Sequence, residues 1–205
     1  MLGQDYVMSP KDLCTLPFLD QILAAGVDSL KIEGRGRSPE YVSEVTACYR
    51  RFIDFYHERH GAQDFAQQLV DLKNELMARL DAVFHRGFSD GFFFGRQIAE
   101  WTGGNGSKAT HRKVHVGVVT NFFKKVMVAE IKVEGAGFSA GDELMFQGSA
   151  TGVVTLKAES IEEAFKPVMQ AARGALVGVR LSGLVRENDQ VYKMVPVEEV
   201  ENARQ

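Results

Sequence analysis

Apolar positions along this chain fall into two textures, a helical one in the first half and a strand-like one in the second. Leu13, Leu16, Leu19, Ile22 and Leu23 have the three-and-four spacing of one helix face, and Gly26 stops it. Val27, Leu30 and Ile32 then predict a short buried strand over 26–32. Ser38-Pro39-Glu40 supplies an N-cap, a first-turn proline and an acid matched to the helix dipole, so the next helix starts near Pro39. Its apolar side carries Tyr41, Val42, Val45, Tyr49, Phe52, Ile53 and Tyr56, and Gly61 ends it. Phe65, Leu69, Leu72, Leu76, Leu80 and Val83 make the stripe of another amphipathic helix over 63–84.

Periodicity breaks at His85–Gly95, where three glycines meet four phenylalanines: rings that pin a loop, or that offer stacking surfaces. Gly103–Ser107 reads as a flexible connector. From Lys113 onward the segments 115–120, 126–133, 143–147, 152–156, 175–181 and 190–194 are short, valine-rich and separated by Gly-Asp, Gly-Ser and Asn-Asp turns. So many short strands predict a small closed β-barrel, which removes exposed edges. Gly141-Asp142-Glu143 and Asn188-Asp189-Gln190 read as equivalent turns, each before a strand. The fold class is α+β, with a strand-helix segment over 1–60, a helical connector and Gly/Phe-rich loop over 61–112, the barrel over 113–197 and a tail over 198–205. Tyr6-Val7-Met8 is a short extended piece before the first helix.

Composition changes this picture little: 205 residues, 45% hydrophobic and 25% charged, describe an ordered globular chain. The net charge of -3 gives no global attraction to nucleic acid, so such binding needs a local patch. Two patches exist. One is Lys31, Arg35 and Arg37; the other is Lys108, His111, Arg112, Lys113 and His115, of which Lys108, Arg112 and Lys113 are the candidate RNA contacts. No window reaches the roughly 18 apolar residues of a membrane span, and no signal-peptide layout is present, so the expectation is a cytoplasmic protein without membrane contact. Cys14 and Cys48 are expected as thiols, Cys48 packed on a helix and Cys14 a candidate metal ligand whose partners lie elsewhere.

The candidate chemistry concentrates in Lys31-Ile32-Glu33-Gly34-Arg35. Charges at the carboxyl end of a strand and before a helix commonly face a ligand. Arg35 can fork onto a carboxylate or phosphate, with Lys31 as a second cation. Alternation would put Glu33 beside Lys31, so Glu33 either joins the site or holds Lys31 in place. A peptidase needs an activated nucleophile or an open metal site. The sequence has no His-Glu-x-x-His and no Gly-x-Ser-x-Gly, and its histidines at 57, 60, 85, 111 and 115 are scattered.

Three stretches resemble the peptidase U32 family, which includes collagenase-like proteases and RNA hydroxylation proteins. They are Tyr6–Cys14, Ala25–Arg35 with Ser38 and Tyr41, and His85–Phe92. The resemblance implies a longer protein, with an N-terminal barrel of alternating strands and helices that this chain enters only near its end. That missing barrel portion is then the expected partner, and exposed apolar faces in its absence would favour self-association. It further implies tRNA as substrate, a small carboxylate co-substrate such as prephenate, and an iron-sulfur cluster in the full-length protein. Cys14 falls at the last of four cluster cysteines, so no cofactor is expected in this chain alone. The strands from Val114 onward resemble the second domain of translation elongation factors. The readings are a C-terminal portion of an RNA-modifying protein of the tRNA uridine hydroxylation type, with the barrel positioning RNA; alternatively a collagenase-like peptidase; or a non-catalytic RNA- or protein-binding module. By itself the chain is expected to be inactive.

Overall fold

Leu13, counted above with a helix face, points outward at 61% exposure. In the computed structural model, which describes residues 11–83, 85–95 and 107–197, it belongs to a two-residue strand, β1 (Asp12–Leu13). A turn of 3-10 helix over Leu16–Phe18 leads into α1 (Leu19–Ala24), so the helix is shorter than its apolar spacing suggests. Gly26 stops it at φ 81°, a conformation glycine adopts without a Cβ clash.

The predicted strand over 26–32 does not form, because no described segment lies beside it to complete a ladder. Two of its three apolar residues still pack, Leu30 and Ile32 partly buried against the helices, but Val27 does not. Val27 is 44% exposed. A strand requires a hydrogen-bonding neighbour, and periodicity alone cannot supply one.

Two long helices follow, α2 (Pro39–Arg59) and α3 (Phe65–Ala82). Pro39 opens α2 with Glu40 in the first turn, as read, although Ser38 makes no side-chain cap bond. The helices run antiparallel, since Glu44 pairs with Arg79, Arg51 with Glu75, and Phe55 stacks on Phe65. Between them, Val45, Cys48, Phe52, Leu69, Leu72, Leu76 and Leu80 join Cys14, Leu16 and Leu19 in one core. Lys73 ties α3 to Asp20 of α1 at 2.6 Å. After α3, β2 (Phe88–Ser89) pairs in parallel with β1.

These elements form one unit, Met1–Thr110; His111–Gln205 forms a second. The second unit is built of β3 (His111–Phe123), β4 (Val128–Val133), β5 (Phe138–Ser139), β6 (Glu143–Gly148), β7 (Gly152–Lys157), β8 (Ser160–Glu163), β9 (Lys166–Val168), β10 (Gln170–Ala171), β11 (Leu176–Arg180) and β12 (Gln190–Pro196). Eight of them make an antiparallel sheet in the order β7-β6-β12-β3-β4-β11-β8-β9. The four short strands β5, β8, β9 and β10 have no signal in the valine pattern. The fold is therefore α+β, three α-helices followed by an eight-stranded antiparallel sheet.

Inward residues from across the sheet, among them Val116, Ile131, Phe146, Ile161, Val179 and Val191, share a single core. One face can do this only if the sheet curls strongly. The end strands β7 and β9 do not pair with each other among the described residues. In place of the expected closed barrel there is a curled sheet whose core also takes Phe138 and Ala171 from the separate β5–β10 pair.

The two turns read as equivalent are the same structure. In each, an aspartate carboxylate accepts from the backbone three residues earlier, Ser139 N to Asp142 at 2.9 Å and Arg186 N to Asp189 at 2.8 Å. The preceding residue has positive φ in both, Gly141 at 94° and Asn188 at 70°, as glycine and asparagine allow. Tyr6–Met8 and Gly103–Gly106 lie outside the described residues.

Sheet curl also constrains Gly117 of β3: a Cβ there would sit 2.0 Å from the carbonyl oxygen of Lys132 on β4. Backbone cannot yield as a side chain can, so Gly117→Ala is expected to destabilise the second unit by about 2–3 kcal/mol. A shift of the urea midpoint checks this; an unchanged midpoint refutes it.

Candidate functional site

Asp12 joins all three singular stretches of the chain. Its carboxylate pairs with the Arg37 guanidinium and accepts a hydrogen bond from Arg86 N at 2.9 Å. Backbone bonds from Asp12 N to Gly87 O (2.8 Å) and from Cys14 N to Ser89 O (2.9 Å) run alongside. Arg37 also lies over the Tyr41 ring, 4.9 Å from its centre. The loop 27–38 is thereby held against the start of α2 and the turn after α3 without a ladder of its own.

Beside this junction is a cleft of about 680 Å³ lined by Lys11, Asp12, Lys31, Glu33, Arg35, Arg37 and Arg86, with Tyr41, Tyr49, Leu30, Ile32 and Phe93 among its less polar walls. The structure therefore brings Lys31, Glu33 and Arg35 together in one cleft. Glu33 does not hold Lys31 as alternation implied; its carboxylate accepts from Arg35 N at 2.7 Å and shapes the loop. The side chains of Lys31, Arg35 and Arg86 have no ion-pair partner among the described residues. Three such cations over an apolar and phenolic floor attract an anion carrying an apolar or aromatic part.

Arg37, read from the sequence in one basic patch with Lys31 and Arg35, lines the cleft too, as do Asp12, Tyr41, Tyr49 and Arg86, which the sequence did not assign to the site. Arg86 lay in a noted motif, and Tyr49 could be found only as a polar tip on an apolar helix stripe. Tyr49 O accepts from Thr15 N at 3.0 Å, and burial beside Cys14 pushes its pKa up to about 12. It is a fixed hydrogen-bonding phenol. Of the Phe-rich loop, Phe93 and Phe94 pack on Phe18 with ring centres 5.1 and 4.9 Å away, yet stay 56% and 60% exposed. The loop is pinned by contacts with one buried ring.

The second basic patch is divided. Lys108 belongs to the first unit, where its backbone N donates to His85 O at 2.8 Å. Arg112 and Lys113 begin the sheet unit; Lys113 donates to Gln147 at 3.2 Å and caps the Tyr192 ring at 4.5 Å, while Arg112 is exposed.

Comparison with known proteins adds what geometry does not. The model of peptidase family U32 matches residues 2–103. A collagenase of Porphyromonas gingivalis is 38% identical over 198 residues, covering 97% of this chain and 46% of that one. The chain belongs to peptidase family U32. A second relative, the tRNA hydroxylation protein P1 of Bacillus subtilis, is 31% identical over 173 residues, 83% of this chain and 39% of that protein. The chain spans about half the length of the collagenase, and less of the hydroxylation protein. Among solved structures, the C-terminal domain of a Geobacillus thermoleovorans protein described as a U32 peptidase matches 38% of this chain and 98% of that domain, at 18% identity and a TM-score of 0.37.

Whether this U32 chain can hold an iron-sulfur cluster turns on Cys14. Its thiol is 5% exposed, burial raises its pKa, and it is packed into the helical core. Cys48, also buried, is pushed up to about 12 by burial and the Glu44 carboxylate. Among the described residues no three histidine, cysteine or acidic side chains converge as a metal set. The residues present therefore do not fit a four-thiolate cluster by themselves. No helix among the described residues is long and apolar enough to cross a membrane.

His85, in the third U32 stretch, is the buried histidine of the described residues. Its Nδ1 accepts from Gly87 N at 3.0 Å, its ring stacks on Phe88 at 4.3 Å, and burial lowers its pKa despite Asp81 nearby. The folded protein therefore favours the neutral ring, while the unfolded chain takes up a proton near its ordinary value of 6.5. His85 stabilises the first unit above about pH 6.5, and that contribution is lost as pH falls below it. Thermal midpoints measured from pH 8 to pH 5 are expected to drop over this window, and the drop to shrink in His85→Asn. Asp12→Ala, which removes the carboxylate that Arg37 pairs with and that Arg86 N donates to, is expected to cost about 2–4 kcal/mol in urea unfolding of the first unit.

Proposed function

We propose that this chain is the later portion of an RNA-modifying U32 protein of the tRNA uridine hydroxylation type, with the cleft as an anion-holding part of its site and the sheet unit contacting RNA. The convergence of Lys31, Arg35 and Arg86 on one cleft carries this reading. Those cations, with the Tyr41 and Tyr49 phenols behind them, are suited to a phosphate or carboxylate. Hydrolytic machinery has less support. Both thiols are buried with raised pKa values, and His85 is spent on Gly87 N and faces Asp81, not a serine or cysteine. Similarity to a protein named for tRNA hydroxylation, over 83% of the chain, supports the RNA reading. An iron-sulfur cluster held with Cys14 would require further ligands from a longer polypeptide.

Proteolysis is the second reading, favoured by the 38% identity to a protein named collagenase. A chimera separates the two. This chain replaces the matching segment of the Bacillus subtilis tRNA hydroxylation protein P1, and the chimera is expressed in cells lacking that activity. Mass spectrometry of tRNA hydrolysates is expected to show restored hydroxyuridine, reduced at least tenfold by Lys31→Glu/Arg35→Glu. Gelatin digestion by the purified chimera without hydroxyuridine, or hydroxyuridine indifferent to the charge reversals, would overturn the proposal.

A further inference from the structure

The hairpin joining β3 to β4 ends in Phe123-Lys124-Lys125-Val126-Met127, a stretch without a role in the cleft. Val126 N donates to Phe123 O at 3.1 Å, closing a tight turn, and Met127 is held at φ 55°. That conformation is costly for a bulky side chain, and such costs collect at functional positions. Phe123 is 47% and Val126 60% exposed. Lys124 and Lys125 are exposed and have no ion-pair partner among the described residues. The nearest carboxylate along the hairpin, Glu130, is turned onto the Thr120 hydroxyl at 2.6 Å. The tip thus pairs a half-exposed aromatic ring with two adjacent, uncompensated cations.

At the opposite end of the same sheet, the β8–β9 tip displays Phe165 at 97% exposure, with φ positive at both Ala164 and Phe165. Its flanks are Glu162 and Glu163 on one side and a single lysine, Lys166, on the other, so the acids outweigh the cation and repel a polyanion. Both tips expose an aromatic ring, Phe165 more fully than Phe123, but only the β3–β4 tip carries two adjacent lysines with no acid flanking them, so it is the tip better suited to phosphate.

We propose that the Phe123–Met127 tip is a contact site for single-stranded RNA, in which Phe123 stacks on an unpaired base and Lys124 and Lys125 hold neighbouring phosphates. This rests on the RNA reading above and names a second site for it. One half-buried ring and one valine offer too little apolar area to anchor the chain in a lipid surface. Stacking on one base with cations beside it is the usual means of holding a single strand without reading its sequence.

Fluorescence anisotropy of a fluorescein-labelled oligouridine 12-mer with the full chain tests this. The unaltered chain is expected to bind at low salt. Lys124→Glu/Lys125→Glu is expected to weaken binding at least tenfold and to flatten the slope of log affinity against log salt by about 1.4, roughly 0.7 for each phosphate lost. Phe123→Leu, which keeps the packing and removes the ring, is expected to weaken binding about tenfold with the slope unchanged. Phe165→Leu and Lys166→Glu, at the other tip, should change nothing.

The proposal is overturned if the unaltered chain does not bind, if both tips matter equally, if duplex RNA binds as well as the single strand, or if phosphatidylserine vesicles bind and RNA does not. It is also overturned if Lys31→Glu/Arg35→Glu abolishes binding while Lys124→Glu/Lys125→Glu does not, an outcome that leaves the proposed function standing. Tip-dependent binding alongside a chimera without hydroxyuridine would uphold this site and reject the proposed function.

Discussion

The first unit depends on the Asp12 carboxylate. A two-residue parallel pair such as β1–β2 is too short to hold three chain segments together by backbone bonds alone. Asp12 does so by accepting from Arg86 N while pairing with Arg37, and the two side chains are shielded enough, 11% and 17% exposed, for the pair to resist solvent screening. With Arg37 committed to that pair, Lys31, Arg35 and Arg86 are the cleft cations without an ion-pair partner among the described residues. Among the described residues, paired charge (Arg37) and charge without an ion-pair partner (Lys31, Arg35) are therefore separated within one short loop.

The second unit solves a different problem, covering a core with short strands alone. Its single core is formed by one face of a curled sheet, and the curl requires glycine wherever one backbone closely approaches another. Gly117 against Lys132 and Gly135 against the His115 carbonyl oxygen are such places. The Asp142 and Asp189 turns work alongside them, each fixing the entry to a strand, β6 and β12, which are neighbours in the sheet. Outside this framework the hairpin tips are free to carry unusual backbone and exposed rings, because few core contacts depend on them.

Within the U32 family this arrangement bears on relatives that carry the names of a protease and of RNA hydroxylation proteins. The residues nearest to a catalytic set are occupied elsewhere: Cys14 and Cys48 with packing, His85 with the Gly87 turn, Tyr49 with Thr15. Among the described residues, what the cleft presents is cationic charge over an apolar floor.

Much of this was legible in the residues. Spacing located α2 and α3 closely and most of the longer strands, because amphipathic periodicity reflects burial on one face and survives in any context. Paired Gly-Asp and Asn-Asp signals marked two turns that proved to be one design, and the Lys31–Arg35 run marked the cleft. Leu13 could not be distinguished from a helix residue, nor could 26–32 be refused as a strand, since both outcomes turn on which segment lies alongside. Similarly, Asp12, Tyr49 and Arg86 became site residues only through contacts spanning 25 to 74 positions. The sequence by itself determined the elements and where charge was concentrated, since these follow from local periodicity and composition. Only the tertiary structure decided which charges are neutralised and which stay open to a ligand, because that depends on which distant partner lies within a hydrogen bond's reach.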